Sequence, residues 1–360
     1  MAFGRFTRTT QSRGRWAAYQ GAGSKGGKIT DHSDGLTATP GRPEGPSGST
    51  VLRAVLDQFA HNFLLNDLGV ELASGRLLAR AYSDLLSVPG HEPRRHESAV
   101  ERVHQSRVAV RRLRSTLRTF SGLFVTEWSA STSTELAWYG GILGSARDLD
   151  VMRASMARSV WLVDDESLRT LLLGFLDQSI AEALERSVEE RSTVRYARLV
   201  EGMTTMAWGA RFVDEADGSA VGALASQLSP TWRDAREAYR DALQRRTTRR
   251  LHRLRIALKR VQYASETVGI VEGRPAVRVA RAAESLQTRL GTVHDATVAS
   301  AWLADLVAIE PKLNRALGDL RHSFELAERE ARRGWRDAMK RVERAWRRRR
   351  DDLADVESDD

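Results

Sequence analysis

The sequence predicts an all-α protein, and three observations support this prediction. After residue 50 the apolar residues recur at three- and four-residue spacings, while glycine and proline are sparse. No segment shows the alternation of apolar and polar residues that a half-buried strand requires. A basic motif that fits a helix also occurs twice along the chain of 360 residues, which indicates an internal duplication.

The helices follow in order from this periodicity. We predict long helices over 51–88, 96–125, 133–162, 166–212, 231–268, 275–306 and 312–350. Glycine, proline or paired aspartates predict breaks near Gly69, Gly75, Pro89, Pro93, Asp164–Asp165, Asp217–Pro230, Gly269–Pro275 and Pro311. Each half of the chain then holds about four helices, which is enough for a four-helix bundle.

The predicted domain organisation is a pair of bundles flanked by two tails. Residues 51–213 form the first bundle, 214–230 a hinge, and 231–350 the second bundle. Residues 1–50 are basic, rich in glycine, serine and proline, and without helical periodicity, so they are predicted to be disordered. Residues 351–360 form an acidic tail.

The composition limits the classes of function. A net charge of +9 and a pI of about 10.3 favour a polyanionic partner, which could be nucleic acid, an anionic membrane surface or a phosphate polymer. The absence of cysteine excludes disulfides and thiolate metal sites, and it suits a reducing cytoplasm. No window approaches the ~18 uninterrupted apolar residues of a membrane span. No histidine pair has metal-ligand spacing on one helix face, so we expect no metal or cofactor.

The repeated motif lies at 103–113 and again at 251–261. Its shared pattern is apolar-His-x-x-Arg-[Val/Ile]-Ala-apolar-[Arg/Lys]-Arg-apolar, and its histidines, His104 and His252, lie 148 positions apart. Each copy is followed by Leu-Gly-x-x-[Arg/His]-Asp, at 143–148 and 290–295. Because both motifs repeat at nearly one offset, we expect the two halves to direct their cations at the same ligand.

On each motif helix the cations form a continuous stripe. The stripe residues are His104, Arg107, Arg111, Arg114 and Arg118 in the first copy, and Arg245, Arg249, His252, Arg255 and Lys259 in the second. An apolar stripe lies only about 60–100° away around each helix, so the cations border the core. Rows of like charge repel each other, and a polyanionic ligand would explain them. The alternative is ordinary surface arginines paired with acidic neighbours.

The glycine and the aspartate of the second motif need separate explanations. A glycine inside a helix costs roughly 1 kcal/mol relative to alanine. Gly144 and Gly291 therefore predict a close approach between helices, where no side chain fits. Asp148 and Asp295 are interpreted as clamps that orient arginines or the motif histidines, in preference to catalytic bases.

Together, the two His-x-x-Arg helices and the two Leu-Gly-x-x-[Arg/His]-Asp segments resemble the CHAD family (conserved histidine α-helical domain). The resemblance covers about residues 51–350. It implies two four-helix bundles related by pseudo-twofold symmetry, with basic residues of both lining a shared central surface that binds inorganic polyphosphate. Gln262 stands where the first copy has Arg114, so the repeat is imperfect at that position.

The resemblance also implies a set of polyphosphate-binding residues. These are His104, Arg107, Arg111, Arg112, Arg114 and Arg147 in the first half, and His252, Arg255, Lys259, Arg260 and His294 in the second. Arg195, on the helix that closes the first half, is a weaker candidate.

The sequence therefore predicts a cytoplasmic, non-catalytic protein that binds polyphosphate and docks onto, or manages, polyphosphate granules. One alternative is a nucleic-acid-binding protein, which the pI would suit. The basic stripes lack the interleaved aromatic residues that stack on bases, and no recognition-helix motif is present. A second alternative is a phosphohydrolase or an accessory to one, in which His104 and Asp148 would act as a base and its orienting group.

Overall fold

The computed structural model describes residues 45–67, 94–96 and 99–359, and this part of the chain is α-helical without strands. Its only extended pairings are two isolated bridges, one of which joins Phe124 and Phe212. The predicted disordered tail up to residue 44 lies outside the described residues. So do the predicted helical segment 68–88 and the breaks predicted near Gly69, Gly75, Pro89 and Pro93.

The described helices are numbered here in chain order. They are α1 (Gly48–Asn66), α2 (Ala99–Thr119), α3 (Thr126–Ser159), α4 (Glu166–Arg191), α5 (Val194–Thr204), α6 (Met206–Gly209), α7 (Ala220–Gln244), α8 (Thr248–Glu272), α9 (Arg274–Ile309), α10 (Leu313–Ala316), α11 (Gly318–Ala331) and α12 (Trp335–Asp359). Short 3₁₀ turns lie at Ser121–Leu123, Val160–Leu162 and Asp214–Asp217.

Side-chain caps explain why several helices begin where they do. Asp165 accepts hydrogen bonds from two backbone N–H groups at the start of α4, and Thr193 caps α5. Thr247 caps α8 by accepting from the backbone N–H of Arg250. These side chains satisfy N–H groups that have no partner within the helix. Gly273 separates α8 from α9 with a positive φ of 68°, a conformation that glycine adopts without a steric penalty.

One continuous apolar core joins α1, α2 and α3 to α7, α8, α9 and α12. The motif helices α2 and α8 contact each other, and their apolar stripes are buried, as at Leu113 and Leu258. A smaller apolar cluster lies between the ends of α3 and α9 and the helices α4 and α11. Because the main core draws on both predicted bundles, the division into two bundles remains a prediction.

Several helix boundaries differ from those predicted, and the predicted helix 312–350 is divided into α10, α11 and α12. The predicted helix 166–212 is divided into α4, α5 and α6, because Thr193 and Thr205 interrupt it. The predicted break at Asp217–Pro230 is shorter, since α7 starts at Ala220 and runs through Pro230. A proline inside a helix costs about 3 kcal/mol, and the buried face of α7 on both sides of Pro230 offsets this cost. The predicted helix 231–268 is interrupted before Thr248, where Thr247 caps a new helix.

The end of the chain also differs from the prediction, because residues 351–359 of the acidic tail continue α12. Asp352 forms an ion pair with Arg278 of α9, which ties this last segment to the bundle. Among the described helices, none is both long and apolar enough to cross a membrane.

Candidate anion-binding site

In the first motif copy, Arg107 connects α2 to α3. Its Nη1 donates hydrogen bonds to the Gly144 carbonyl oxygen at 3.2 Å and to Asp148 Oδ1 at 2.7 Å. A Cβ built on Gly144 would lie 3.6 Å from the Arg107 guanidinium. The glycine therefore leaves room for the guanidinium to lie flat against the backbone of α3.

The second copy repeats this arrangement between α8 and α9. A Cβ built on Gly291 would lie 3.4 Å from Arg255 Nε. Both glycines thus face an arginine, which corrects the expectation that no side chain fits beside them. These distances are close to ordinary contact, so a methyl group would be tolerated and a longer side chain would displace the guanidinium.

The two copies differ in how closely an aspartate pairs with the motif arginine. Arg107 has a direct hydrogen bond to Asp148, whereas Asp295 acts on Arg255 only as a nearby charge. Burial is the main cause that lowers the pKa of Arg255, and the Arg111 charge lowers it further. Among the described residues, buried Arg255 Nε and His252 Nδ1 find no hydrogen-bond partner. An unpaired buried polar atom costs about 1–3 kcal/mol, so a hydrogen-bond partner for either atom would be stabilising.

The two motif helices meet at Arg111. Its Nε donates a hydrogen bond of 3.0 Å to the Tyr263 hydroxyl of α8. Lys259, one turn earlier on α8, lies near enough to Arg111, Arg107 and Arg255 for all three charges to act on it. The cations of both copies therefore share one region.

We call this region the central basic cluster. It consists of His104, Arg107, Arg111, Arg147, His252, Arg255, Lys259 and His294, each of which is close enough to another member for their charges to interact.

Lys259 is the member of the central basic cluster whose pKa is most affected by its surroundings. Burial first, and then the charges of Arg111, Arg255 and Arg107, lower the pKa of Lys259 to about 7. Asp295 opposes this shift but does not cancel it. The shift therefore reflects desolvation of the ammonium group first, and then three neighbouring cations that a single carboxylate opposes.

The histidines of the cluster respond in the same direction. Burial and the Arg147 charge lower the pKa of His104, while Glu101 raises it. Burial also lowers the pKa of His252 and of His294, whose ring centroids lie 4.5 Å apart. All three imidazoles are therefore biased towards the neutral form, in which one ring nitrogen donates and the other accepts.

Arg147 and Arg112 have close acidic partners. Arg147 is half-buried, acts on His104, and forms an ion pair with Asp150. Arg112 is only 6% exposed and forms an ion pair with Glu266 of α8. Its guanidinium also lies over the Tyr263 ring, 4.4 Å from the centroid. This guanidinium points into the contact between α2 and α8.

Three further predicted residues are not members of the central basic cluster as defined above. Arg114 is exposed on α2, and Arg260 forms a 3.5 Å ion pair with Asp234 of α7. Arg195 pairs with Glu135 of α3 at 2.8 Å. Glu135 precedes Arg147 by 12 residues on the same helix, which corresponds to about 18 Å along its axis. Arg195 instead borders a separate cavity of about 640 Å³ between α3 and α5.

Sequence reasoning did not identify Tyr263, Glu266 or Asp150. Tyr263 lies four residues after Lys259, so helical spacing could have placed it on the basic face. Glu266 and Asp150 were missed because their roles depend on partners that the fold brings close, and on the rotamers of those partners.

Comparisons with known proteins agree with this architecture. The family profile described as "CHAD domain" matches residues 77–304. Two uncharacterized proteins of Mycobacterium tuberculosis, from strains CDC 1551 and H37Rv, are each 26% identical over 207 residues. Each alignment covers 56% of this chain and 39% of the relative, so the match spans less than half of the relatives' length.

Two solved structures share the fold. PptA from Streptomyces chartreusis superimposes with a TM-score of 0.61 and 19% identity, covering 82% of this chain and 100% of that one. The CHAD domain from the plant Ricinus communis gives 0.56 and 23%, covering 83% and 92%. The family profile covers more than half of the chain, and a solved CHAD domain has the same fold. This protein therefore belongs to the CHAD domain family.

Proposed function

We propose that this protein binds inorganic polyphosphate in its central basic cluster. The observation that carries the proposal is the convergence of Arg111 from α2 with Arg255 and Lys259 from α8, where the cations outnumber nearby carboxylates. A linear phosphate polymer carries regularly spaced negative charges and could contact both motif helices at once. Membership of the CHAD family and the resemblance of the motifs support the same ligand.

Arginine suits this ligand because its planar guanidinium offers forked, charge-assisted hydrogen bonds to phosphate oxygens. Arg107 is held against α3 by Gly144 and Asp148, so part of its fork is already oriented before a ligand arrives. Such preorganisation reduces the entropy that binding must overcome. The remaining N–H groups and the histidine rings would complete the contacts with the phosphate chain.

We further propose that the protein holds polyphosphate without cleaving it. Asp148, the carboxylate that could orient a histidine base, instead accepts a hydrogen bond from Arg107. This supports its role as a clamp for the cluster. In the cell, such binding would serve docking onto polyphosphate granules or management of the polymer.

A calorimetric titration with long-chain polyphosphate at several salt concentrations tests the proposal. Each neutralised phosphate of a single-stranded nucleic acid contributes about 0.7 units to the log–log salt slope, and we expect similar behaviour for polyphosphate. Five contacts would give a slope near −3.5 by this rule. A nearly flat dependence, or no binding, would contradict the proposal.

A pair of matched variants locates the site. Arg107→Ala with Arg255→Ala removes two charges from the central basic cluster. Arg236→Ala with Arg240→Ala removes two exposed charges from α7. We expect the first variant to weaken polyphosphate binding at least about a hundredfold, since each hydrogen bond to a charged group contributes about 1.5–3 kcal/mol. The second should change the affinity by less than about threefold, a residual electrostatic effect of distant exposed charges. Equal losses would show that binding follows net charge alone.

A further inference from the structure

Lys259 is the one lysine among the cations of the central basic cluster, and it stands where the first motif copy has Arg111. Its side chain is half-buried on α8, so its amine remains partly accessible. Among the described residues it forms neither a hydrogen bond nor an ion pair. The cluster thus contains a primary amine that no other group of the described chain holds in place.

Three arginines surround this amine, and other groups position them. The Tyr263 hydroxyl orients Arg111, and two hydrogen bonds hold Arg107 against α3. Arg255 lies one turn before Lys259 on α8, and a glycine of α9 gives its guanidinium room. The charges of all three arginines act on Lys259. A phosphate group bound by these arginines would therefore lie beside the amine.

The charge of this amine changes near neutral pH, because burial and the neighbouring cations lower the pKa of Lys259 to about 7. An ordinary lysine, with a pKa of about 10.4, is almost wholly protonated at that pH. Only the neutral amine has the electron pair that a nucleophile needs. The charged and titratable groups that interact with Lys259 are Arg107 and Arg111 of α2, His252 and Arg255 of α8, and His294 and Asp295 of α9.

We propose that Lys259 is a site of acylation by acyl phosphates, and that this modification weakens the binding of polyphosphate. The arginines bind the phosphate group, which brings the acyl carbon close to the amine. The amine nitrogen attacks that carbon and a C–N bond forms. The C–O bond to the phosphate breaks, and its electron pair leaves with inorganic phosphate, which also takes up the proton of the amine. The amide product is neutral, so the cluster loses one cation.

The effect on polyphosphate rests on the proposed function, whereas the acylation itself does not. A bound polymer would occupy the same arginines and favour the protonated amine, so it should protect Lys259. Acylation in turn removes a charge from the contact with the polymer. The modified protein should consequently bind polyphosphate less tightly, and the protein with bound polymer should resist modification.

The experiment treats the full-length protein with acetyl phosphate at about pH 7.5 and follows each lysine by mass spectrometry. The chain has five lysines, of which Lys312 and Lys340 are exposed and serve as internal controls. We expect acetylation to begin at least about tenfold faster at Lys259 than at either control. The larger neutral fraction of this amine outweighs the lower nucleophilicity that accompanies a lower pKa. Equal initial rates would overturn the inference.

A second reagent separates recognition of the phosphate from reactivity of the amine. An N-hydroxysuccinimide ester of acetate transfers the same acyl group but carries no phosphate. The preference for Lys259 over the control lysines should be larger with acetyl phosphate than with the ester, and added inorganic phosphate should reduce only the former. A preference of the same size with both reagents would show that the arginines do not guide the acyl phosphate, which also overturns the inference.

Long-chain polyphosphate tests the regulatory part. Saturating polymer should suppress acetylation of Lys259 and leave that of Lys312 unchanged. Lys259→Gln, which is neutral like the amide, should bind the polymer roughly tenfold more weakly at about pH 6, where the lysine is protonated. The control variant Lys312→Gln removes an exposed charge and should stay within about twofold.

The outcomes separate this inference from the proposed function. If the polymer binds but Lys259 reacts no faster than the control lysines, the inference fails and the binding site stands. If Lys259 reacts selectively but the polymer neither binds nor protects it, the proposed function fails, and its regulation by acylation fails with it.

Discussion

The Arg111 guanidinium of the first motif copy donates a hydrogen bond to the Tyr263 hydroxyl of the second, with an N···O distance of 3.0 Å. This bond joins the two motif helices at the centre of the basic surface. It fixes the direction of one arginine fork while leaving its charge uncompensated. Tyr263 also lies beneath the Arg112 guanidinium, so one ring supports two adjacent cations.

We therefore predict that Tyr263→Phe weakens polyphosphate binding without unfolding the protein. The phenylalanine ring retains the cation–π contact with Arg112, but Arg111 loses its orienting acceptor. A hydrogen bond of this kind contributes about 1 kcal/mol, which corresponds to roughly fivefold in affinity. Calorimetric titration gives the affinity and a thermal melt gives the stability. An unchanged affinity would show that Arg111 needs no orientation by Tyr263.

Arg112 should behave differently from its neighbour Arg111. It was predicted to bind the ligand, and we now propose that its buried ion pair with Glu266 holds α2 against α8. Removing one partner of a buried pair costs about 3–5 kcal/mol, so Arg112→Ala should lower the melting temperature by several degrees. The fraction that remains folded should still bind polyphosphate. A loss of affinity at unchanged stability would instead assign Arg112 to the ligand.

Helical periodicity predicted the face on which each cation of the cluster lies. His104, Arg107 and Arg111 are spaced by three and four residues, and a helix must place such residues on one side. The glycine of the second motif was also informative, since a glycine inside a helix indicates a close neighbour. The all-α fold and the family followed from the same repeats.

The residues that each helix face contacts on a neighbouring helix could not be predicted in this way. The partner of Arg112 depends on how α2 and α8 cross, which brings Glu266 close although it lies 154 residues away in sequence. Thr247 and Thr193 divided the predicted helices because a capping side chain competes with continuation of a helix. Small differences in free energy decide where a helix ends and which side chains pair, and the spacing of apolar residues along the sequence does not reveal these differences.

Binding should strengthen as the pH falls from about 8 to about 6. In the free protein, burial and neighbouring cations lower the pKa of Lys259 to about 7 and keep those of His104, His252 and His294 below their ordinary value. Bound phosphates would favour the protonated forms and raise these pKa values. The complex then holds more protons than the free protein, so linkage makes the affinity rise as protons become available.

Lys259→Arg offers a control for this pH dependence. An arginine stays charged over the whole range, so the variant should bind more tightly at pH 8 than a partly neutral lysine allows. Its affinity should also vary less with pH, with only the histidines still contributing. The test is the affinity of both proteins for polyphosphate, measured between about pH 6 and 8 at fixed ionic strength. A slope identical to that of the unmodified protein would exclude Lys259 as the titrating group.

Charge and geometry can be separated at the two motif arginines. Arg107→Lys with Arg255→Lys keeps both charges but loses the forked hydrogen bonds and the flat contact with Gly144 and Gly291. We expect an affinity between that of the unmodified protein and that of the double alanine variant, with a salt slope close to the original. An affinity as low as that of the alanine variant would mean that the fork, and not the charge, determines binding.

A competition titration of long-chain polyphosphate against single- and double-stranded DNA at moderate salt tests most directly whether the central basic cluster is a polyphosphate site. We predict that polyphosphate displaces both nucleic acids from the unmodified protein at concentrations, counted per phosphate, far below theirs. This preference should disappear in the Arg107→Ala, Arg255→Ala variant. If DNA competes as well as polyphosphate, or if the variant keeps the preference, the central basic cluster is not a polyphosphate site.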